Sequence, residues 1–323
     1  NRDIDRVQEM RISSSQLVLE ERNKTLGLTF VVEYCNVPND EYAGLIRRLQ
    51  IRNDTNRPIS LSCLDGIPLV VPAGVDNSSL KFTRRLVEAF VEVDNLDMAA
   101  PMFRGKVEPV DRPEVVRIRK GNFYLGFLGD DAGGHRVMPV VDPVKIFGSQ
   151  TDYSTPDNFL QASGREILEG QIHENRYPCA MGWFETEIPA GGVSTYTSII
   201  GHASSVEALN AMAPRIANAG YTESKFEEDS RMIEQLLQPG FMASREQVLD
   251  QYARQNFQDN GLRGGLPISL EGESGRTAFY MYSRKHGDLE RDYNHFSLSP
   301  SKYSQGNANY RDVNQNRRND LFF

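Results

Sequence analysis

The sequence predicts a β-plus-α protein. A large antiparallel β-sandwich is expected over residues 1–203, a helical linker over 204–257, and the opening of an all-α domain over 258–323. Three observations carry that expectation. Apolar and polar side chains alternate with period two through most of the stretch before residue 204, turn-forming residues interrupt those runs at short intervals, and beyond residue 204 the apolar spacing becomes helical.

The alternation is clearest at Ile59, Leu61 and Cys63, set against Ser60 and Ser62, and at Val193, Thr195, Thr197 and Ile199, set against Ser194, Tyr196 and Ser198. One face of each strand is thereby apolar or β-branched, as a half-buried sheet requires. Asn53-Asp54-Thr55-Asn56, Asp65-Gly66, Pro72-Ala73-Gly74 and Pro189-Ala190-Gly191-Gly192 supply the turns, because these residues adopt turn geometry at low cost. Asn122 to Leu128 is almost wholly apolar and reads as a strand covered on both faces. Short helices are expected to interrupt, one of them near Thr151 to Leu160.

Ser204-Ser205-Val206-Glu207 has the look of an N-cap with its capping-box acid. Ala208, Leu209, Met212 and Ile216 then recur at helical spacing, and Gly220 is placed as the C-cap. A second helix is expected from about Glu223 to Leu237, ending at Pro239-Gly240. Ser244 is read as the cap of a third, with Val248, Leu249, Tyr252 and Phe257 on its buried side. From about residue 258 the chain reads as irregular, with a short helix or strand around Ala278 to Lys285.

Composition excludes several classes. The 323 residues carry a formal net charge of −8, the opposite of the basic footprint that phosphate-backbone binding needs. Nucleic acid is therefore not an expected partner. No apolar run reaches the length of a membrane span, so no membrane partner is expected either. Cys35, Cys63 and Cys179 form no C-x-x-C and read as buried thiols of a reducing compartment, which points to the cytoplasm.

The most specific stretch is the last one. Residues 303–323 run from Tyr303 through a Gly/Asn-rich loop to Tyr310-Arg311-Asp312, and then to Gln315, Asn316 and Asn319. On a helix Asp312, Gln315, Asn316 and Asn319 share one face. Carboxylate, amide and guanidinium groups bind vicinal sugar hydroxyls in pairs, and a tyrosine ring offers a surface on which a pyranose stacks. The segment resembles the Tyr-Arg-Asp-x-x-Gln stretch of the cellobiose phosphorylase-like inverting glycoside phosphorylases, with a looser likeness over most of the chain. The resemblance implies that Tyr310, Arg311, Asp312 and Gln315 bind substrate in the donor-sugar subsite. It also implies that the all-α domain is the start of an (α/α) barrel, following sandwich and linker in the family's order.

What the resemblance implies about activity is reversible phosphorolysis of a β-glucoside to a sugar 1-phosphate. The partners are then a β-linked glucose oligosaccharide and phosphate, with inorganic phosphate as co-substrate, no cofactor, and a homodimer as the expected assembly. Asp312 resembles the sugar-binding aspartate of the family. Its general acid is expected beyond Phe323, so the catalytic residue is not named within this chain. The absence of an initiator Met at Asn1 and the apolar end Leu321-Phe322-Phe323 read as those of an internal fragment. Alternatives from other classes are a non-catalytic carbohydrate-binding or dimerisation module, and an inverting glycoside hydrolase.

Other chemistry-bearing residues have ordinary readings. Ser283 to Asp292, with His286 inside it, is dense in charge and reads as a solvated loop. Trp183, the only tryptophan, sits among strand residues and reads as core. His173-Glu174 begins like a zinc helix, but the second histidine would fall at Tyr177, so no metal site is expected. His135 and His202 have no ligand or nucleophile partner at a meaningful spacing. No P-loop, G-x-S-x-G or G-x-G-x-x-G pattern occurs.

Overall fold

The computed structural model describes residues 4–75, 80, 82, 84–108, 113–129, 135–264, 267–272 and 275–280. The chain divides into two units, Asn1–Ser230 and Arg231–Phe323.

The first unit is built on a nine-stranded antiparallel sheet. Its strands are β1 (Arg6–Ile12), β2 (Leu17–Asn23), β3 (Leu28–Asn36), β4 (Ala43–Asn53), β6 (Val91–Asp94), β7 (Met102–Gly105), β8 (Gly121–Leu128), β9 (His135–Arg136) and β12 (Val193–Ala203). They lie in the order β1-β2-β3-β4-β12-β8-β7-β6, with β9 beside β8. A three-stranded sheet in the order β10-β11-β5 faces it, made of β5 (Ile59–Ile67), β10 (Pro139–Val140) and β11 (Ala180–Ile188). The expected antiparallel sandwich is present. Asn122–Leu128 lies in an interior strand of the large sheet, β8, with Phe123, Tyr124, Leu125 and Phe127 fully buried.

Each strand of the large sheet sends alternate residues to opposite layers. One row crosses six strands on the face toward the small sheet: Met10, Leu19, Val32, Leu49, Tyr196 and Leu128. Leu49 and Tyr196 pack there against Phe184 and Ile188 of β11. On the other face Cys35, Ile46, Ile199 and Leu125 form a row, covered by Leu209, Met212, Ile216 and Phe226. Those four belong to two helices, α4 (Val206–Ile216) and α5 (Ala219–Leu237). Three shorter helices, α1 (Pro143–Phe147), α2 (Asp157–Gln161) and α3 (Gly164–Leu168), cover one end of the small sheet's outer face, where Ile146, Phe147 and Ile167 pack with Leu64, Met181 and Trp183.

The helix starts follow from local chemistry. Ser205 is the N-cap of α4, its hydroxyl accepting from the Ala208 amide at 3.2 Å, which satisfies a donor that the helix cannot. Gly220 does not cap α4, which closes at Ala217. Asn218 Oδ1 accepts from the Gly220 and Tyr221 amides at 2.8 and 3.3 Å, so Gly220 lies in the first turn of α5, earlier than the expected start near Glu223.

The second unit takes the end of α5, the single turn Gln238–Gly240 and α6 (Gln247–Gly264), followed by a hairpin of β13 (Pro267–Gly272) and β14 (Gly275–Tyr280). Ser244 lies ahead of α6, and its amide donates to both Asp250 carboxylate oxygens at 2.9 and 3.0 Å. The helix then runs through Asp259-Asn260-Gly261, where the residue types alone indicate irregular chain. Val248, Leu249 and Tyr252 are exposed on it, not buried as their spacing suggests. No helix among the described residues is long and apolar enough to cross a membrane.

Candidate functional site

Strand β4 carries Leu45-Ile46-Arg47-Arg48-Leu49 through the middle of the large sheet. Consecutive strand residues point to opposite faces, so two adjacent arginines reach two different layers. Charged groups at such depth persist only when paired and hydrogen-bonded.

Arg47 points toward the small sheet. Its guanidinium donates to the Asp65 carboxylate of β5 and, through Nε, to the Tyr34 hydroxyl at 3.1 Å. Burial pushes the Asp65 carboxyl above its ordinary value, and Arg47 beside it opposes that rise. Tyr124 donates to the Asp65 backbone carbonyl at 3.3 Å, leaving Tyr196 to donate to the Tyr124 hydroxyl. Burial raises both phenols, Tyr124 well above its ordinary value. Gly126 and Gly182 make this pair possible, because a Cβ at either would collide with the Tyr196 hydroxyl. Cys63 lies in the same layer with its thiol pushed up to about 11 by burial, which keeps it in the unreactive thiol form at neutral pH.

Arg48 points toward the helices. It bonds Glu33, its cross-strand neighbour, at 2.8 Å and Glu223 of α5 at 2.5 Å. Its guanidinium also lies 4.4 Å from the centre of the Phe226 ring, a cation–π contact. A second set of groups completes the anchorage of α5. Lys225 donates to the Pro38 carbonyl and to Glu228, both at 2.8 Å, and lies 3.4 Å from Asp40. Asp40 also accepts from Arg215 of α4 at 2.9 Å and from the Tyr221 hydroxyl at 3.0 Å. The Arg215 guanidinium holds the Asp40 carboxyl well below the usual carboxylate range.

These groups fasten layers together. Burial raises the Tyr124 and Tyr196 phenols and the Cys63 thiol, and Arg215 lowers the Asp40 carboxyl, so these four groups keep one protonation state near neutral pH. Sequence reasoning passed over them. The signal was present in two consecutive arginines within an apolar strand, but their partners lie 18 and 175 positions away in the chain.

The sequence-predicted substrate residues Tyr310, Arg311, Asp312 and Gln315 lie outside the described residues, as do Tyr303 and the charged stretch with His286. Trp183 is half-buried, donates through Nε1 to the Ser62 hydroxyl at 3.0 Å and packs with the small-sheet core. His173 contacts the Val93 carbonyl at 3.2 Å, and Glu174 accepts from Lys106 at 2.6 Å. His202 pairs with Asn122 at 3.0 Å, and burial lowers its pKa. Among the described residues no group of histidines, cysteines and carboxylates is arranged to hold a metal ion.

Two open hollows lie on the sandwich. One, of about 520 Å³, lies on β1, β2 and β3 of the large sheet, where Met10, Leu19, Phe30 and Val32 line it together with Gln8, Glu9, Glu20 and Glu21. The other, of about 420 Å³, lies on the outer face over Ser60, Ser62, Glu185 and Glu187. Comparison of the chain with protein-family models and with curated proteins returns no match.

Proposed function

We propose that this chain is part of a glycoside phosphorylase. In this reading it supplies the sandwich and linker that carry a catalytic (α/α) barrel, together with part of the donor-sugar subsite. The observation that supports it is the order of elements, a two-sheet antiparallel sandwich followed at once by α4, α5 and α6, which is the order the resemblance of the Tyr310–Gln315 segment implies. Arg47, Arg48 and Asp40 of the described sandwich are engaged in holding its layers, which fits a supporting role.

The chemistry is an inverting displacement. A carboxylic acid protonates the glycosidic oxygen, and phosphate attacks the anomeric carbon from the opposite face, where an inverting hydrolase holds water. Phosphate is already anionic, so one acid and a cationic pocket suffice and no general base is needed. Tyr310 offers a stacking face, while Arg311, Asp312 and Gln315 grip the donor hydroxyls. The resemblance assigns the acid to none of this chain's residues.

The test is phosphate release from α-glucose 1-phosphate with glucose, cellobiose and laminaribiose as acceptors. The 323-residue chain is assayed beside the product of any longer reading frame that contains it. Release by the longer product alone, lost on Asp312→Asn by about a hundredfold or more in kcat/KM as a buried sugar contact goes, is the expected result. Hydrolysis without phosphate dependence would replace the phosphorylase by the hydrolase. Release by the 323-residue chain itself would place the acid within it.

A further inference from the structure

The large sheet is only half covered. The small sheet ends at β5, which pairs with β11 and with no other strand among the described residues. Alternate N–H and C=O groups of its nine residues therefore face outward, and an unpaired edge of this kind is a template for another strand. The inner residues Ile59, Leu61 and Cys63 pack against the core cluster that Phe30 and Val32 also join. Beyond them the same face of the large sheet continues to Leu19 and Met10, with Gln8 and Glu21 beside them in the hollow. On the outer side Ser60 and Ser62 are small, and behind them Glu187 and Glu185, their register partners, are exposed. No ion pair engages either glutamate among the described residues.

We propose that the free edge of β5 is a docking site for an extended strand of a partner polypeptide, one that alternates apolar with basic residues. Its backbone continues the small sheet. Its apolar side chains enter the hollow over Met10, Leu19, Phe30 and Val32, where they extend the existing sheet-to-sheet interface. Its lysines or arginines lie over Ser60 and Ser62 and reach Glu185 and Glu187. Those two glutamates stand two strand spacings away, about 10 Å, which the stems of a glutamate and a lysine or arginine span between them.

Area argues against a second copy of the chain as the occupant. The uncovered face is at most three strands wide, since Leu28, Phe30 and Val32 of β3 already meet the core, and seven residues long, at most about 14 by 24 Å or roughly 340 Å². A stable dimer buries about 800 Å² on each partner. An added strand needs less apolar area because main-chain hydrogen bonds supply much of the affinity. The site is independent of the phosphorylase reading and uses none of that reading's residues.

The probe is a nine-residue peptide alternating lysine and valine, titrated against the 323-residue chain by fluorescence anisotropy, with amide exchange followed at β5. Saturable binding is expected, with new protection at Ile59 to Ile67. E185Q combined with E187Q weakens it about five- to tenfold, the worth of two exposed ion pairs. M10E weakens it about tenfold or more by placing a charge in the hollow. Met10 is 62% exposed, so this variant keeps the fold, which an unchanged thermal midpoint verifies. A glutamate–valine peptide binds far more weakly. Equal binding of the two peptides, indifference to M10E, or no saturable binding would each overturn the proposal. So would β5 amides already protected without peptide, which would assign the edge to another segment of the same chain. Concentration-dependent self-association abolished by M10E would assign it to a second copy.

Discussion

The row Met10, Leu19, Val32, Leu49, Tyr196, Leu128 crosses six strands on one face of one sheet, yet its two ends live in different environments. Met10 is 62% exposed and Tyr196 is 1% exposed. Residue type does not separate them, since Leu19 and Val32 in the wing are as apolar as Leu49 and Leu128 in the covered half. Coverage does. Over β4, β12 and β8 the small sheet lies on one face and α4 with α5 on the other, whereas the wing formed by β1, β2 and β3 loses the small sheet beyond β5. The covered half holds buried charges in constellations such as Arg47, Asp65 and Tyr34. The wing carries charge freely, with Arg11 bridging Glu9 and Glu20 at 3.0 Å in solvent, where such pairs contribute little.

The largest expected difference between the halves lies in side-chain truncation. Leu49→Ala removes a buried side chain from the covered half and costs about 3 kcal/mol through lost burial and the cavity left behind. Met10→Ala in the same row costs within about 0.5 kcal/mol. Urea denaturation of both variants measures the contrast. Equal costs would mean that the wing is covered in solution and that the two halves do not differ as described.

A smaller effect probes the closest packing between the sheets. Gly182→Ala drives a Cβ into the Tyr196 hydroxyl and is expected to cost about 2 kcal/mol as an overpacked core site. Tyr196→Phe removes that oxygen at a cost of about 1 kcal/mol for its hydrogen bond. The double variant is then more stable than the sum of the two single losses predicts, by at least about 0.5 kcal/mol. Additivity in the cycle would show that the glycine serves some purpose other than making room for the tyrosine.

The division between covered and uncovered strands also explains what was legible in the sequence. Strand alternation at Ile59, Leu61 and Cys63 and the buried run Asn122 to Leu128 are local signals, and each appears in the structure. The helix start at Ser204-Ser205 is also local, but the cap is Ser205 with Ala208 at N3, one residue past the serine that a capping box with Glu207 requires. Which faces are covered is a non-local property. Met10 and Ile12 on β1 and Val248 and Tyr252 on α6 have the spacing of buried residues and are exposed. Gly220 looks like a helix stop, but Asn218 two residues earlier opens a new helix over it. The Arg47–Asp65 and Arg48–Glu223 pairs depend on layers meeting, which no spacing rule encodes. The substrate residues Tyr310, Arg311, Asp312 and Gln315 were read from a family likeness and lie outside the described residues.

The smallest expected effect tests how the helical cover is held on the sheet. Asp40 is buried and accepts from Arg215, the Glu41 amide and Tyr221, so its folded pKa lies well below its unfolded one. A depressed carboxylate contributes stability that is present above its unfolded pKa, near 4, and is lost as the pH falls toward the folded value. Stability is therefore expected to decline between about pH 4 and pH 2, and Asp40→Asn should flatten that decline. Arg215 is half exposed, so screening limits the difference to about 1 kcal/mol. Urea midpoints of the parent and the variant at pH 6 and pH 3 measure it. Parallel losses in the two proteins would show that Asp40 does not couple α4 and α5 to the sheet through its charge. The cover would then rest on the apolar contacts of Leu209, Met212, Ile216 and Phe226 with the row of Cys35, Ile46, Ile199 and Leu125.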